Sequence, residues 1–129
     1  MMELRLMDGR YAVAKFPPDT TPPVTNNHSN GSFLSVTWTE EECSVVSLEG
    51  SIPDGYLEIN NGWAVIRIEG VLDFELVGVL QSVLMPLGKA GVSVFTLSTY
   101  NTDYVLVKTD SLDSAVSSLR SAGFVVGVS

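Results

Sequence analysis

GWAVIRIEGVLDFELVGVLQSVLMPLGKAGVSVFTLSTYNTDYVLVK, residues 62–108, switches between two hydrophobic periods, and that switching decides the fold. Trp63–Ile68 has the two-residue alternation of a strand. Asp73 is a good N-cap, and Glu75 in the following turn suits the positive end of a helix dipole. Leu76, Val79, Leu80, Val83, Leu84 and Leu87 then recur at three- and four-residue spacing, which predicts a helix over about Phe74–Ala90 with one apolar face. Pro86 interrupts its hydrogen bonding near the end, and Gly91 stands where a C-terminal cap belongs. Val92–Leu97 and Tyr104–Lys108 are strands joined by a short turn. Downstream, Asp110 or Ser111 caps a second helix to about Ala122, with Leu112, Ala115, Val116 and Leu119 on one face. Gly123 closes it before a strand at Phe124–Val128. The order is βαββαβ, for which a four-stranded antiparallel sheet with both helices on one face is expected.

The first half is less regular. Glu3–Met7 and Tyr11–Phe16 flank Asp8-Gly9-Arg10, a hairpin signal. Pro17–Gly31 holds four prolines and a Thr/Asn/Ser-rich tail without helical period, so a surface loop is expected. Phe33–Thr37 and Cys43–Leu48 form a second hairpin around Trp38-Thr39-Glu40-Glu41-Glu42. Ile52–Asn61 is a turn-rich link. The halves are therefore expected at 1–62 and 63–129. Tyr11–Lys15 resembles Trp63–Arg67, and the two hairpins align if the first carries one extra residue, matching Trp38 to Tyr100 and Glu42 to Asp103.

Composition narrows the function. With 15 acids against 7 bases in 129 residues, the net charge of −8 repels phosphate backbones, so nucleic acid is not an expected partner. Apolar runs are broken well short of the ~20 residues a spanning helix needs, so no membrane segment is expected. The N-terminus lacks a signal-peptide core, the two Asn sequons carry no weight without secretion, and a single Cys43 fits a reducing cytoplasm. Enzyme chemistry finds little support. His28 stands alone in the Pro/Asn loop, and there is no phosphate loop, metal-spaced His/Cys set or Ser-His-Asp arrangement. Cys43 alternates inside a strand with no nearby base. No cofactor is expected.

Two constellations could bind a small molecule. Glu69–Phe74 joins a strand to a helix start, whose unpaired N–H groups suit a carboxylate, and Gly70 has no Cβ to block approach. An ordinary capped helix would show the same spacing. Ser98-Thr99-Tyr100-Asn101-Thr102-Asp103 is a polar hairpin tip, where Asp103 can take a ligand ammonium and the Ser98 and Thr99 hydroxyls can orient it. Any solvated turn would also be polar.

Glu69-Gly70-Val71-Leu72-Asp73-Phe74, Leu84–Gly91 and Ser98–Tyr104 together resemble the ACT-domain family of amino-acid-binding regulatory modules, and most of all its small stand-alone members with two ACT-like halves. The resemblance is specific in the second half of the chain and vague in the first. It implies two ferredoxin-like (α+β) halves packed together, the first degenerate because Pro17–Gly31 replaces one helix and the other is squeezed into Glu49–Asn61. ACT modules bind amino acids at the loop after the first strand, which implies Gly70, Val71, Leu72, Asp73 and Phe74. Family members that sense amino acids carry a similar Ser-Thr-aromatic-Asn-x-Asp turn, which implies Ser98, Thr99, Tyr100, Asn101 and Asp103. Thr37, Trp38 and Glu42 in the other half would complete the pocket wall.

The function expected on these grounds is a non-enzymatic, cytoplasmic amino-acid sensor or regulator, binding a free amino acid or similar zwitterion and forming a homodimer. The acidic surroundings favour arginine or lysine. Two alternatives stand beside it: a ligand-free protein–protein interaction module of the same fold, and a small hydrolase or isomerase using carboxylates such as Asp73 and Asp103.

Overall fold

The computed structural model describes residues 2–22, 33–70 and 77–128. Its elements in chain order are β1 (Glu3–Leu6), β2 (Tyr11–Phe16), β3 (Ser35–Trp38), β4 (Cys43–Leu48), β5 (Glu58–Ile68), α1 (Val79–Lys89), β6 (Val94–Ser98), β7 (Asp103–Lys108), α2 (Leu112–Ser121) and β8 (Val125–Val128). Single 3-10 turns follow β4 at Glu49–Ser51 and β7 at Thr109–Ser111. Two compact units result: Met1–Met7 with Ala64–Ser129, and Asp8–Trp63.

From β5 onward the elements follow the expected βαββαβ order, and the fold is α+β with ferredoxin-like halves. Both helices cover one sheet face. Val83 and Leu87 of α1 and Ala115 and Leu119 of α2 are buried in one cluster with Ala64, Ile66, Ile68, Val105, Val107 and Val126. Those strand residues alternate, as a single packed face requires. Each helix ends in a Schellman turn. Val92 N–H donates to the Leu87 carbonyl at 3.0 Å after α1, and Phe124 N–H to the Leu119 carbonyl at 3.1 Å after α2.

Three expectations need correction. First, β1 and β2 do not form a hairpin. Both run antiparallel to β5, β1 against Ile66–Ile68 and β2 against residues 58–63. A two-residue type I′ turn needs positive φ at both central residues. Gly9 has it, at 95°, but Asp8, like every other non-glycine among the described residues, does not, so Asp8-Gly9 does not reverse the chain. Second, the sheet of the C-terminal unit has five strands rather than four and is not wholly antiparallel. β1 lies between β5 and β8 and pairs parallel with β8. The cause is Leu4, 1% exposed and packed into the cluster beneath both helices. The first seven residues thus group with the C-terminal unit, and a simple division at 62/63 does not describe the compact units. Third, Asn60-Asn61-Gly62 is not a link but the interior of β5. The register against β2 shifts there and Gly62 takes φ 82°, so the turn-like sequence makes a bulge instead of a reversal.

The Asp8–Trp63 unit has the strand order β3-β4-β2-β5. Ala14, Phe16, Cys43 and Val45 form its buried core, with Val36, Ile52 and Ile59 against them. Burial pushes the Cys43 thiol pKa up, which keeps it protonated and unreactive near neutral pH. Among the described residues, this unit's only helical segment is the 3-10 turn Glu49–Ser51, and most of Pro17–Gly31 lies outside them.

The packing of Leu4 generates a prediction. Leu4→Ala leaves a cavity among fixed neighbours and should cost about 2–5 kcal/mol in denaturant unfolding. Leu57→Ala, at a side chain 60% exposed, should cost less than about 0.5 kcal/mol. A near-neutral Leu4→Ala would mean that β1 does not contribute to this core.

Candidate functional site

The helix expected to start at Asp73–Phe74 starts at Val79. Its N-cap is Gly78, with φ 80°, and no acidic residue lies in its first turn. A left-handed glycine is not helical and gives the backbone no reason to continue a helix N-terminally through it. Asp73 is therefore not the cap of α1. Val71, Leu72, Asp73 and Phe74, and the dipole role given to Glu75, lie outside the described residues. Gly70 is exposed two residues past the end of β5, with φ 93° and no atom of the described residues within 4 Å of where a Cβ would stand. The backbone angle, not crowding, calls for glycine here.

The Ser98–Asp103 tip is well ordered by its own side chains. Ser98 and Asp103 face each other across the last rung of the β6–β7 ladder, and the Ser98 hydroxyl donates to Asp103 Oδ1 at 2.5 Å. Thr99 N–H donates to the Thr102 carbonyl at 2.9 Å, closing a tight turn with Tyr100 and Asn101 exposed at its apex. Tyr100 is 80% exposed. Asp103 is half-buried and accepts from Ser98 without an ion-pair partner among the described residues.

Sequence reasoning passed over Thr102. It is 3% exposed, one of two buried polar residues among those described, and its hydroxyl donates to the Ile68 carbonyl at 2.6 Å. Ile68 is the last residue of β5, two before Gly70. One buried bond thus fastens the hairpin tip carrying Asp103 to the strand end that leads into the Gly70 loop. Ser98, Thr99 and Asp103 flank Thr102 in the tip, and Gly70 follows two residues after Ile68. The available signal was a β-branched hydroxyl directly before an acid at a turn's end, which by itself looks like any turn residue.

Thr37, Trp38 and Glu42 belong to the Asp8–Trp63 unit. Thr37 and Trp38 are exposed at the end of β3, and Trp38 Nε1–H donates to the Thr20 carbonyl at 2.8 Å. Glu42 is half-buried just before β4. The β3–β4 turn repeats the β6–β7 turn without an extra residue. Thr39 N–H donates to the Glu42 carbonyl at 2.9 Å, as Thr99 does to Thr102, and the closing rung is Trp38–Cys43 where the other has Ser98–Asp103. Both turns are followed by a six-residue strand and then a 3-10 turn. The alignment of Glu42 with Asp103 and Trp38 with Tyr100 is therefore corrected. Cys43 stands at the place of Asp103, and Trp38 at that of Ser98.

Residues 58–121 match the family model for the ACT domain. The chain carries an ACT domain. Among solved structures, protein Atu0741 from Agobacterium tumefaciens superposes with a TM-score of 0.85 at 27% identity, covering 99% of this chain and 93% of that one. The regulatory subunit of aspartate kinase from Thermus thermophilus shares the fold, with a TM-score of 0.56 at 8% identity over 89% of this chain and 93% of that one. Among curated proteins, the Homo sapiens protein named cytosolic arginine sensor for mTORC1 subunit 1 is 24% identical over 139 aligned positions. That alignment covers 86% of this chain, which spans only 42% of the sensor's length. Among the described residues, no helix is long and apolar enough to cross a membrane, and no cluster of His, Cys, Asp or Glu is arranged to hold a metal ion.

Thr102→Val keeps the side chain's shape but leaves the buried Ile68 carbonyl without this donor. It should lower unfolding free energy by about 1–3 kcal/mol. Thr99→Ser, which keeps a hydroxyl at an exposed position, should stay within about 0.5 kcal/mol of the parent. An unaffected Thr102→Val protein would show that water replaces the bond and that the tip is not held by it.

Proposed function

We propose that this chain is a non-enzymatic, cytoplasmic regulatory module that binds a free amino acid, or a similar zwitterion, where the Ser98–Asp103 tip meets the Gly70 loop. The observation that carries the proposal is the Thr102–Ile68 bond, which ties the tip carrying Asp103, an acid without an ion-pair partner among the described residues, to the end of β5. Asp103 receives the ligand's ammonium, and the Ser98 hydroxyl fixes the orientation of its carboxylate group. By the family resemblance, the ligand's own carboxylate is assigned to backbone N–H groups within residues 70–74. Family membership of residues 58–121 and the likeness to an arginine sensor support the ligand class. The Trp38–Cys43 rung offers no acid in the first half, so one site of this kind per chain is proposed, with residues 1–62 as a degenerate ACT-like half.

A homodimer is part of the proposal. α1 and α2 leave between them a groove of about 800 Å³ floored by Met85, Pro86, Ala90, Ser118 and Ala122, with Met85 51% exposed. An apolar helix face of this kind is a natural place for a second copy. Light scattering at micromolar concentration should give twice the chain mass, and a monomer mass would remove the dimer from the account. The same groove also favours a second reading, a ligand-free interaction module. Calorimetry against the twenty amino acids separates the two.

Asp103→Asn retains the shape of the tip while removing its charge. Losing a charge-assisted hydrogen bond should weaken amino-acid binding by about 1.5–3 kcal/mol, roughly ten- to hundred-fold. For the parent, an amino acid at about 100 times its dissociation constant should add roughly 2.7 kcal/mol of stability in a thermal-shift screen. If the identified ligand binds Asp103→Asn as tightly as the parent, Asp103 is a turn residue and the site lies elsewhere.

A further inference from the structure

Arg67 stands between Ile66 and Ile68, which pack beneath the helices, so alternation along β5 turns its side chain to the other face of the sheet. Its register partner on β1 is Arg5, whose neighbours Leu4 and Leu6 likewise pack towards the helices. Two arginines therefore stand side by side on one rung of that face, with Cβ atoms about 4.5–5.5 Å apart, and like charges so placed repel. The next residue in the row is Gly127 of β8, which puts no side chain on the far flank of Arg5.

The two guanidinium groups are not equally matched. Arg5 Nε–H donates to the Glu69 carboxylate. Arg67 enters no ion pair among the described residues, and its Nε–H is buried without an acceptor. A charged donor in that state is costly, and a bound anion is one of the few ways to relieve it. Because the Arg67 side chain is only half-buried, an anion can reach it from solvent. A carboxylate offers two oxygens in one plane and fills a single guanidinium fork. A tetrahedral oxyanion has oxygens enough for two forks that approach from different sides.

We propose that the Arg5–Arg67 rung binds a phosphate group, either inorganic phosphate or the phosphate of a small monoester. Arg67 donates to it through the fork that has no other partner, and Arg5 through the Nη groups beyond its bond to Glu69. Glu3 lies one rung along, where the Glu69 N–H donates to its carbonyl at 3.0 Å, and its exposed carboxylate opposes the anion. The net charge of −8 also opposes attraction at long range, so binding depends on the short contacts at this rung. The site shares no residue with the Ser98–Asp103 tip and does not rest on the amino-acid reading, so either can fail without the other.

The test is an NMR titration of the full chain with inorganic phosphate at constant ionic strength, with acetate as the control. Phosphate should give saturable shifts of the Arg67 Nε–H and of the Arg5 and Gly127 amides, and acetate should not. Arg67→Gln and Arg5→Gln should each weaken binding about tenfold. Glu3→Gln should strengthen it. Glycerol phosphate distinguishes the sources: tighter binding of the ester assigns the site to phosphorylated metabolites, and tighter binding of the inorganic ion assigns it to free phosphate. Arg5 is exposed, so Arg5→Gln carries the test even if Arg67→Gln does not fold. The proposal is overturned by the absence of a saturable shift, by an equal response to acetate, or by an affinity that Arg5→Gln leaves unchanged.

Discussion

β5 is the constraint on which the rest depends. Its residues from Gly62 to Ile66 are all buried, which an isolated or edge strand cannot achieve, so partners must cover both edges and both faces. Its first part takes β2 as a neighbour, its last part takes β1, and β7 pairs with it as well. The helix cluster assembles on Ala64, Ile66 and Ile68, and Leu4 reaches it only because β1 pairs there. The strand then ends at the carbonyl that Thr102 holds. Core, topology and candidate site are thus consecutive consequences of one buried segment.

The two hairpins show how one scaffold can gain or lose chemistry at a single rung. Their turns use the same threonine-initiated closure, with Thr39 and Thr99 at corresponding positions. Backbone geometry is therefore kept while the residues at the last rung differ. Ser98 with Asp103 gives a hydroxyl and a carboxylate held 2.5 Å apart, half-open to solvent. Trp38 with buried Cys43 gives an indole bonded to the Thr20 carbonyl and a protonated thiol. Cys43 belongs to the Phe16 core, Trp38 is exposed, and neither supplies a carboxylate for an ammonium group.

Much of the C-terminal half was legible because its signals are local. Helical spacing from Val79 to Leu87, the glycines closing both helices, and the β-branched pairs of β6 and β7 each act within a few residues. What was not legible depends on distant partners. Asp8-Gly9 carries a hairpin signal, and only the pull of the core on Leu4 places β1 elsewhere. Asn60-Asn61-Gly62 has the composition of a turn, but β2 pairs through it and converts it to a bulge. The sequence points to an early start for α1 because Asp73 is a good capping residue, whereas the glycine at 78, whose left-handed backbone stops the helix, carries no comparable local signal. In the candidate site the acid was visible and its anchor was not. The role of Thr102 lies in a bond to a residue 34 positions away.

The most direct test of the central claim is an isotope-filtered NOE experiment on the labelled chain with an unlabelled amino acid that stabilises it. The account predicts contacts from the ligand's α-proton to Thr102, Asp103 or the Ser98 side chain, and none to the corresponding rung of the other hairpin, Trp38 and Cys43. Contacts to Trp38 and Cys43 without any to Ser98, Thr102 or Asp103 would contradict it.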